Sequence, residues 1–312
     1  MLSRRLIRVK VFKVLFGKIS AGSDSLQQME KELLASCDKT VDLYSFLLGL
    51  PVALKNVANA KIDAGLNKYR PTEQEANPNK KFVENEFIKI LEEDTAFGNM
   101  CAKKGLLWGE HDSFVKKLYS SIVSSDYYKE YMENSSRSLE EDINLVKTIY
   151  EQELEDNQLL EDILEDSSIL WMDDLAYVIN TITKNLDTIA KKKFVTVPST
   201  FLKEEDRQFA LRLLTQSFIK SQEYSQLVYD SVSNWDSDRL VATDIALIVQ
   251  GITEAVYFET IPLKVTINEY VEISKYYSTP NSKVFVNGLL DKIIGQMNKD
   301  GKIVKSGRGL VG

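Results

Sequence analysis

The spacing of apolar residues along the chain predicts helices joined by polar loops. Apolar side chains recur every three or four residues, which is the period of a helix with one buried face. Glycine and proline are scarce, 14 and 6 among 312 residues, which favours long helices over a sheet with many turns. The predicted helices span residues 2–19, 41–66, 82–95, 112–133, 138–165, 168–191, 203–232, 237–258, 266–277 and 281–297.

Breaks in this pattern predict turns and one domain boundary. Gly49 and Pro51 interrupt the helix predicted over 41–66, and residues 70–81 are polar enough to form a loop. The best candidate boundary is 191–200, where three lysines precede a Pro-Ser-Thr sequence.

Polar residues also predict where two C-terminal helices begin. The Asp-Ser-Asp sequence at 236–238 offers three side chains that can accept hydrogen bonds from the free N–H groups of the next helix. Thr266 and Glu269 have the spacing of a capping box, in which each side chain bonds the other residue's backbone.

The first predicted helix joins an apolar face to a basic start. The apolar face consists of Val9, Phe12, Phe16 and Ile19. The basic start consists of Arg4, Arg5 and Arg8, within about 100° of the same sector. Two interpretations remain open: a helix that packs by its apolar end and extends its guanidinium groups beyond the bundle, or a solvated basic helix start.

Charge is distributed unevenly along the chain. The net charge of −7 argues against broad, nonspecific binding of nucleic acid. Residues 1–20 nevertheless hold six basic and no acidic side chains, and residues 275–312 hold seven basic side chains against two acidic ones. Residues 133–174 hold fourteen acidic side chains, which are typical of a solvated helix face. If the two ends meet, they form a local positive patch on an acidic body.

The residue types of common active sites are sparse. No glycine-rich phosphate loop is present, and the single histidine, His111, supports neither a catalytic triad nor a metal site. We therefore expect no enzyme, no catalytic residue, no metal and no cofactor. Cys37 and Cys101 fit no metal or redox spacing, which favours a reduced, cytoplasmic setting. Neither a signal peptide nor a transmembrane span is expected.

The stretch 261–294 holds the best candidate for a binding site. It reads as two helices joined by the polar turn Ser278-Thr279-Pro280-Asn281-Ser282. The free N–H groups at the start of the second helix can take a phosphate, with Lys283 in the first turn. Phe285 can stack on an unpaired base, and Asn281 and Asn287 can bond base edges.

An alternative assignment of Phe285 follows from helical periodicity. The core stripe of the last helix consists of Val286, Leu290, Ile293 and Met297. Phe285 and Leu289 can simply widen that stripe, and periodicity alone favours this interpretation. Gly288 lies inside the helix, where it costs about 1 kcal/mol relative to alanine, so we expect another backbone or a ligand to approach it closely.

A family signature can be read, without a gap, in Ile261-Pro262, Lys264-Val265, Ile267-Asn268-Glu269, Val271-Glu272 and the run from Phe285 to Lys292. Asp244 and Glu254 stand at the expected distances before Pro262. The family's first helix is resembled by Arg4, Arg5 and Arg8 and by the run Val14-Leu15-Phe16. In these residues the chain resembles the transcription antitermination factors of the NusB family. The resemblance covers 1–19 and roughly 203–297, a little over a third of the chain.

The resemblance implies an all-α fold of two small bundles, with the N-terminal helix packed among C-terminal helices. Family members bind the single-stranded boxA element of nascent RNA together with NusE, which is also a small-subunit ribosomal protein. Their complex joins RNA polymerase and suppresses premature termination, chiefly in ribosomal RNA operons.

Specific roles follow for residues that match the family's motifs. The residues expected to contact RNA are Arg4, Arg5, Arg8, Asn281, Lys283 and Phe285. The residues expected to face NusE are Phe16 and Asp244. Val284 stands where a basic side chain is common, and Asn281 stands where aspartate is frequent.

The resemblance also implies a domain organisation. An arginine-rich helix at 1–19 and an RNA-binding domain at 201–297 form the family fold. Residues 20–200 are an acidic helical insertion, and 298–312 are a flexible tail. Two other functions remain open: a helical protein–protein scaffold that has lost RNA binding, and the RNA-binding part of a ribosomal RNA methyltransferase. The second is poorly supported, because no cofactor-binding domain follows residue 297.

Overall fold

The computed structural model describes residues 2–21, 25–232 and 241–311, and within them it is helical and contains no strand, which confirms the all-α prediction. The helices are α1 (Arg4–Ala21), α2 (Leu26–Leu48), α3 (Leu50–Leu66), α4 (Glu73–Ala76), α5 (Glu86–Glu93), α6 (Thr95–Lys104), α7 (Asp112–Ser124), α8 (Asp126–Glu133), α9 (Leu139–Glu153), α10 (Gln158–Ser167), α11 (Leu175–Lys192), α12 (Glu204–Ser231), α13 (Ala242–Tyr257), α14 (Leu263–Tyr277) and α15 (Ser282–Lys299). The caps predicted at 236–238 lie outside the described residues.

Local hydrogen bonds explain two of the differences between the observed helices and the predicted ones. The helix predicted over 112–133 divides at Ser125, whose hydroxyl accepts from the N–H of Tyr128 at 3.3 Å. The helix predicted over 138–165 divides in the same way at Asn157, whose side chain accepts from the N–H of Leu160. Such caps start a new helix within a continuous apolar pattern, so the period alone does not reveal them.

The predicted capping box at Thr266 and Glu269 is wrong. Helix α14 begins at Leu263, directly after Pro262, so both residues lie inside the helix. Their side chains bind other helices. Thr266 is buried and donates to Glu254, and Glu269 accepts from Arg5.

The chain divides into two compact units. The first unit consists of Met1–Cys37 together with Leu202–Gly312, and the second consists of Asp38–Phe201. The first unit is therefore assembled from two chain segments that are far apart in sequence.

The second unit has an aromatic centre. Phe46 stacks on Trp108 with ring centroids 4.1 Å apart, and Trp171 stacks against Phe46 at 5.6 Å. Both indole N–H groups donate to backbone carbonyl oxygens of α2, those of Phe46 and Lys39. Buried indoles need such partners, so these bonds fix the rings in the core.

One described helical stretch, Leu26–Leu66, has the length and apolar composition to cross a membrane, with mean hydropathy 1.3. It comprises α2 and α3, and 67% of its most apolar window is buried inside the protein. Core helices of folded domains have the same properties, and Gly49 and Pro51 separate the two helices as the sequence predicts.

In the first unit, α1 and α12–α15 pack around α13. Every residue of α13 from Asp244 to Ala255 is buried. Gly251 permits this packing, because a Cβ there would lie 2.8 Å from Leu290 Cδ2 and 3.2 Å from Tyr270 Cδ2. Gly288, where the sequence predicts a close approach, is exposed, and no described atom would lie within 4 Å of its Cβ. Within the chain, the close approach occurs at Gly251 instead.

A buried ion pair joins three helices of this unit. Arg8 of α1 is 4% exposed and donates from Nε and Nη2 to Glu254 of α13, at 2.7 and 2.9 Å. Glu254 is fully buried and also accepts from the hydroxyls of Thr266 and Tyr270 on α14. Burial alone would lower the pKa of Arg8, but the Glu254 carboxylate raises it, so the guanidinium keeps its charge.

The C-terminal segment also lies against the first unit. Ile303 is buried in its core, and the N–H of Ser306 donates to the carbonyl oxygen of Glu259 at 3.1 Å. Lys305 donates to the carbonyl oxygen of Phe258, and burial lowers the pKa of this lysine. A short 3₁₀ helix follows at Gly307–Leu310.

Replacing Glu254 with glutamine keeps the side chain's shape but leaves the charge of Arg8 buried without a counter-ion. We expect the free energy of unfolding in urea to fall by about 3–5 kcal/mol. The control is Glu272→Gln, because Glu272 pairs with Lys275 on the α14 surface and should cost less than about 1 kcal/mol. Equal, small losses in the two variants would contradict the proposed importance of the buried pair.

Alanine at the two glycines should act in opposite directions. Gly288→Ala adds a methyl group in open space and should stabilise α15 by about 0.5–1 kcal/mol. Gly251→Ala makes the same helix-favouring change, but it crowds Leu290 and Tyr270, which costs about 1–3 kcal/mol. Thermal melting measures both variants, and a higher melting temperature for Gly251→Ala would refute the packing argument.

Candidate nucleic-acid interface

A hydrogen-bonded turn connects α14 to α15. Ser278 and Ser282 each donate to one carboxylate oxygen of Asp244, at 2.6 and 2.9 Å. The hydroxyl of Ser282 also accepts from the N–H of Thr279 at 3.2 Å. Asp244 lies in the first turn of α13, so its carboxylate fixes the turn from the interior.

Asp244 is therefore placed differently from the sequence expectation. It is 2% exposed, and both of its oxygens accept from the turn, which leaves no surface for direct contact with a partner such as NusE. Its position in an amphipathic helix did not reveal this burial, because its partners are two serines more than thirty residues away. Phe16, the other residue expected to face NusE, is half-buried and packs on Phe12.

The start of α15 presents the predicted RNA-contacting residues. Asn281 and Lys283 are exposed, and Val284 between Lys283 and Phe285 is 69% exposed. Phe285 is half-buried and packs against the core of the first unit. Both interpretations of Phe285 therefore hold in part: one part of the ring packs on the core, and the rest remains accessible for stacking.

The three predicted arginines are placed unequally. Arg4 and Arg5 are half exposed, with side-chain exposures of 47% and 53%. Arg8 is buried, and its donors bond Glu254, so direct contact of Arg8 with an RNA phosphate does not fit this structure. Arg8 instead fixes the helix that carries the other two.

Each exposed arginine of α1 has an acidic neighbour. Arg5 donates from Nε and Nη2 to both oxygens of Glu269, at 3.0 and 2.8 Å, and this bond raises the pKa of Arg5. Arg4 lies 3.5 Å from Asp206 and 4.8 Å above the ring of Phe209. An arginine has five N–H donors, so Arg5 retains donors on its outer edge for a further anion.

A shallow pocket of about 730 Å³ lies at these arginines. Its lining residues are Ser3, Arg4, Arg5, Arg8, Thr260, Ile261, Pro262, Val265, Glu269 and Arg308. Arg308 comes from the C-terminal segment and did not enter the sequence prediction, because that segment was expected to be a flexible tail. The excess of basic residues in 275–312 was the one sequence feature that pointed to a role for Arg308.

The arginines and the α14–α15 turn lie towards opposite ends of α14. That helix has 15 residues and is about 22 Å long at 1.5 Å per residue. Helix α1 runs beside it: Arg5 contacts Glu269, and further along Phe12 contacts the ring of Tyr277 at 5.7 Å. Lys13 lies 5.4 Å from the same ring, at the end of α14 next to the turn. The sequence prediction did not include this cation.

The described residues contain no group of three or more His, Cys, Asp or Glu side chains that could hold a metal ion. The arrangement offers exposed guanidinium and ammonium groups, a helix start and a partly accessible ring. Groups of these kinds suit an extended anion with unpaired bases, such as single-stranded nucleic acid.

These features define an all-α domain in which an arginine-bearing first helix is fixed among four C-terminal helices. Residues 177–295 match the model of the NusB family. The chain therefore carries a NusB-family domain, whose matched part begins within α11 and ends within α15.

Three curated proteins named transcription antitermination protein NusB are similar to the chain. That of Salinibacter ruber is 38% identical over 106 residues, which is 34% of this chain and 66% of the relative. That of Chloroherpeton thalassium is 35% identical over 105 residues, 34% of this chain and 50% of the relative. That of Natranaerobius thermophilus is 27% identical over 115 residues, 37% of this chain and 83% of the relative. The matched region thus spans half to about two thirds of the first two relatives. No solved structure matches the chain.

Asp244 and Glu269 should make the stability of the protein depend on pH in opposite directions. Burial raises the pKa of Asp244 above its ordinary value of 3.8, although the hydrogen bonds from Ser278 and Ser282 oppose the shift. The hydrogen bond from Arg5 lowers the pKa of Glu269 below 4.5, against the effect of burial. As pH rises above 3.8, ionisation of Asp244 therefore lowers the free energy of unfolding. As pH falls below 4.5, protonation of Glu269 removes the stability that its ionised form contributes.

Urea unfolding at a series of pH values from about 3 to about 7 measures both effects against wild type. Asp244→Asn should gain stability relative to wild type as pH rises, and Glu269→Gln should lose it. Equal slopes for the two variants would contradict the assigned shifts.

Proposed function

We propose that the protein is a noncatalytic transcription antitermination factor that binds boxA-type single-stranded RNA together with NusE and acts in the cytoplasm. In this role it joins the RNA polymerase antitermination complex and supports transcription of ribosomal RNA. The observation that carries the proposal is the NusB-family match at 177–295, which includes the α14–α15 turn and the start of α15.

The surface supports RNA as the ligand. Arg4 and Arg5 offer donors to phosphates at one end of α14, and the exposed Lys283 at the start of α15 offers its ammonium group at the other. Phe285 follows Lys283 by two residues in the same first turns of α15 and is only partly buried, which suits stacking on one unpaired base. A strand of several nucleotides lying along α1 and α14 would reach both ends.

One observation favours the scaffold as a second candidate. Arg4, Arg5 and Arg8 all have carboxylate neighbours in the folded chain, so their positive charge is largely compensated. Under this alternative, the family arginines serve the fold and the surface binds protein alone.

Titration of a labelled boxA RNA with and without NusE distinguishes the candidates. Phe285→Leu keeps apolar volume against the core but removes the ring, so RNA affinity should fall by the equivalent of about 1–3 kcal/mol, with or without NusE. Phe16→Leu makes the same change on the surface expected to face NusE. It should weaken RNA binding only when NusE is present.

Salt dependence tests the arginines. The double variant Arg4→Ala, Arg5→Ala should make the slope of log affinity against log salt shallower by about 0.7 for each phosphate that the protein no longer neutralises. The control is Lys103→Ala, Lys117→Ala, which removes two exposed cations from the second unit and should leave the slope unchanged. Wild-type protein that is folded, as judged by circular dichroism, yet binds neither boxA RNA alone nor RNA with NusE would refute the proposal and favour the scaffold.

A further inference from the structure

The C-terminal segment brings an additional arginine to the pocket formed by α1 and α14. Arg308 lines this pocket together with Arg4, Arg5 and Arg8, although it lies at the opposite end of the sequence. Its side chain is exposed, as a residue that meets a ligand from solvent must be. The matched family residues end at 295, so this arginine lies beyond them.

Charge compensation distinguishes Arg308 from the other three arginines of the pocket. Arg8 pairs with Glu254, Arg5 pairs with Glu269, and Arg4 lies 3.5 Å from Asp206. Among the residues that the structure describes, Arg308 has no carboxylate within ion-pair distance. It therefore supplies the pocket's uncompensated positive charge, and all of its donors remain available to a ligand.

The backbone around Arg308 is held closely against the first unit. The N–H of Ser306 donates to the carbonyl oxygen of Glu259, and Ile303 is buried in the core. Gly309 passes so close to Glu259 that a Cβ at this position would overlap the Glu259 carbonyl oxygen. Contacts on both sides of Arg308 thus determine where its side chain emerges.

We propose that Arg308 is an RNA-binding residue of this surface and takes a backbone phosphate beside Arg4 and Arg5. This inference rests on the proposed function and adds a contact from outside the residues that resemble the family. A guanidinium suits the role, because its planar set of donors bonds two phosphate oxygens at once. The phosphate would neutralise the charge of Arg308, which no carboxylate of the described residues pairs with.

Substitutions at Arg308 test the contact in the intact chain with boxA RNA. Arg308→Ala should weaken binding about tenfold at low salt and make the salt slope shallower by about 0.7, the value for one phosphate of a single strand. Arg308→Lys keeps the charge and loses the paired donors, so it should keep the slope and lose part of the affinity. The control Lys302→Ala removes a nearby exposed cation that does not line the pocket, and it should change neither quantity.

Gly309→Ala supplies a test that leaves the charge in place. The new Cβ cannot fit beside the Glu259 carbonyl group, so the segment must shift and carry Arg308 with it. RNA affinity and salt slope should then change in the direction of Arg308→Ala, while the protein remains folded by circular dichroism.

The outcomes separate this inference from the function on which it rests. Wild-type protein that binds boxA RNA, with Arg308→Ala retaining the same affinity and salt slope, would overturn the role of Arg308 alone. Wild-type protein that is folded and binds no RNA, with or without NusE, would overturn both. A loss of affinity in Lys302→Ala equal to that in Arg308→Ala would show a general charge effect and would also overturn the specific contact.

Discussion

The ion pair between Arg8 and Glu254 determines where the first helix of the protein lies. Removing two charges from water is costly, and a buried pair is tolerated only when close geometry and further hydrogen bonds compensate. Here Glu254 accepts from two hydroxyls of α14 as well as from Arg8, so one carboxylate joins α1, α13 and α14. The positions of Arg4 and Arg5 at the surface follow from this arrangement, because one rigid helix carries all three arginines.

Sequence reasoning recovered the helical class, the break at Gly49 and the outline of the C-terminal helices, because these depend on local period and on glycine and proline. It failed where a side chain's partner is distant in sequence. Arg8 and Asp244 look like surface residues in their own helices, yet both are buried against groups that no local pattern connects to them. Thr266 and Glu269 had the spacing of a cap, but Glu254 and Arg5 bind their side chains instead. Arg308 was missed because a segment rich in glycine and lysine was expected to be loose.

The basic surface is largely compensated by the protein's own acids. Paired arginines on a chain of net charge −7 create little long-range attraction for nucleic acid. They still present N–H donors in fixed directions, and such donors act over hydrogen-bonding distances. A surface of this kind discriminates by geometry more than by charge, so it suits a ligand that must be selected among many polyanions.

The two-segment construction of the first unit has a consequence for its biosynthesis. Glu254 follows Arg8 by 246 residues, so a ribosome that adds 5–20 residues per second makes it about 12–50 s later. Throughout that interval α1 lacks its counter-ion, and for most of it the chain also lacks α12 and α13, which cover its apolar face. All residues of the second unit, Asp38–Phe201, are synthesised before Glu254. The newly made N-terminal helix must therefore avoid other partners until the C-terminal helices emerge, and this interval is when a chaperone would have most effect.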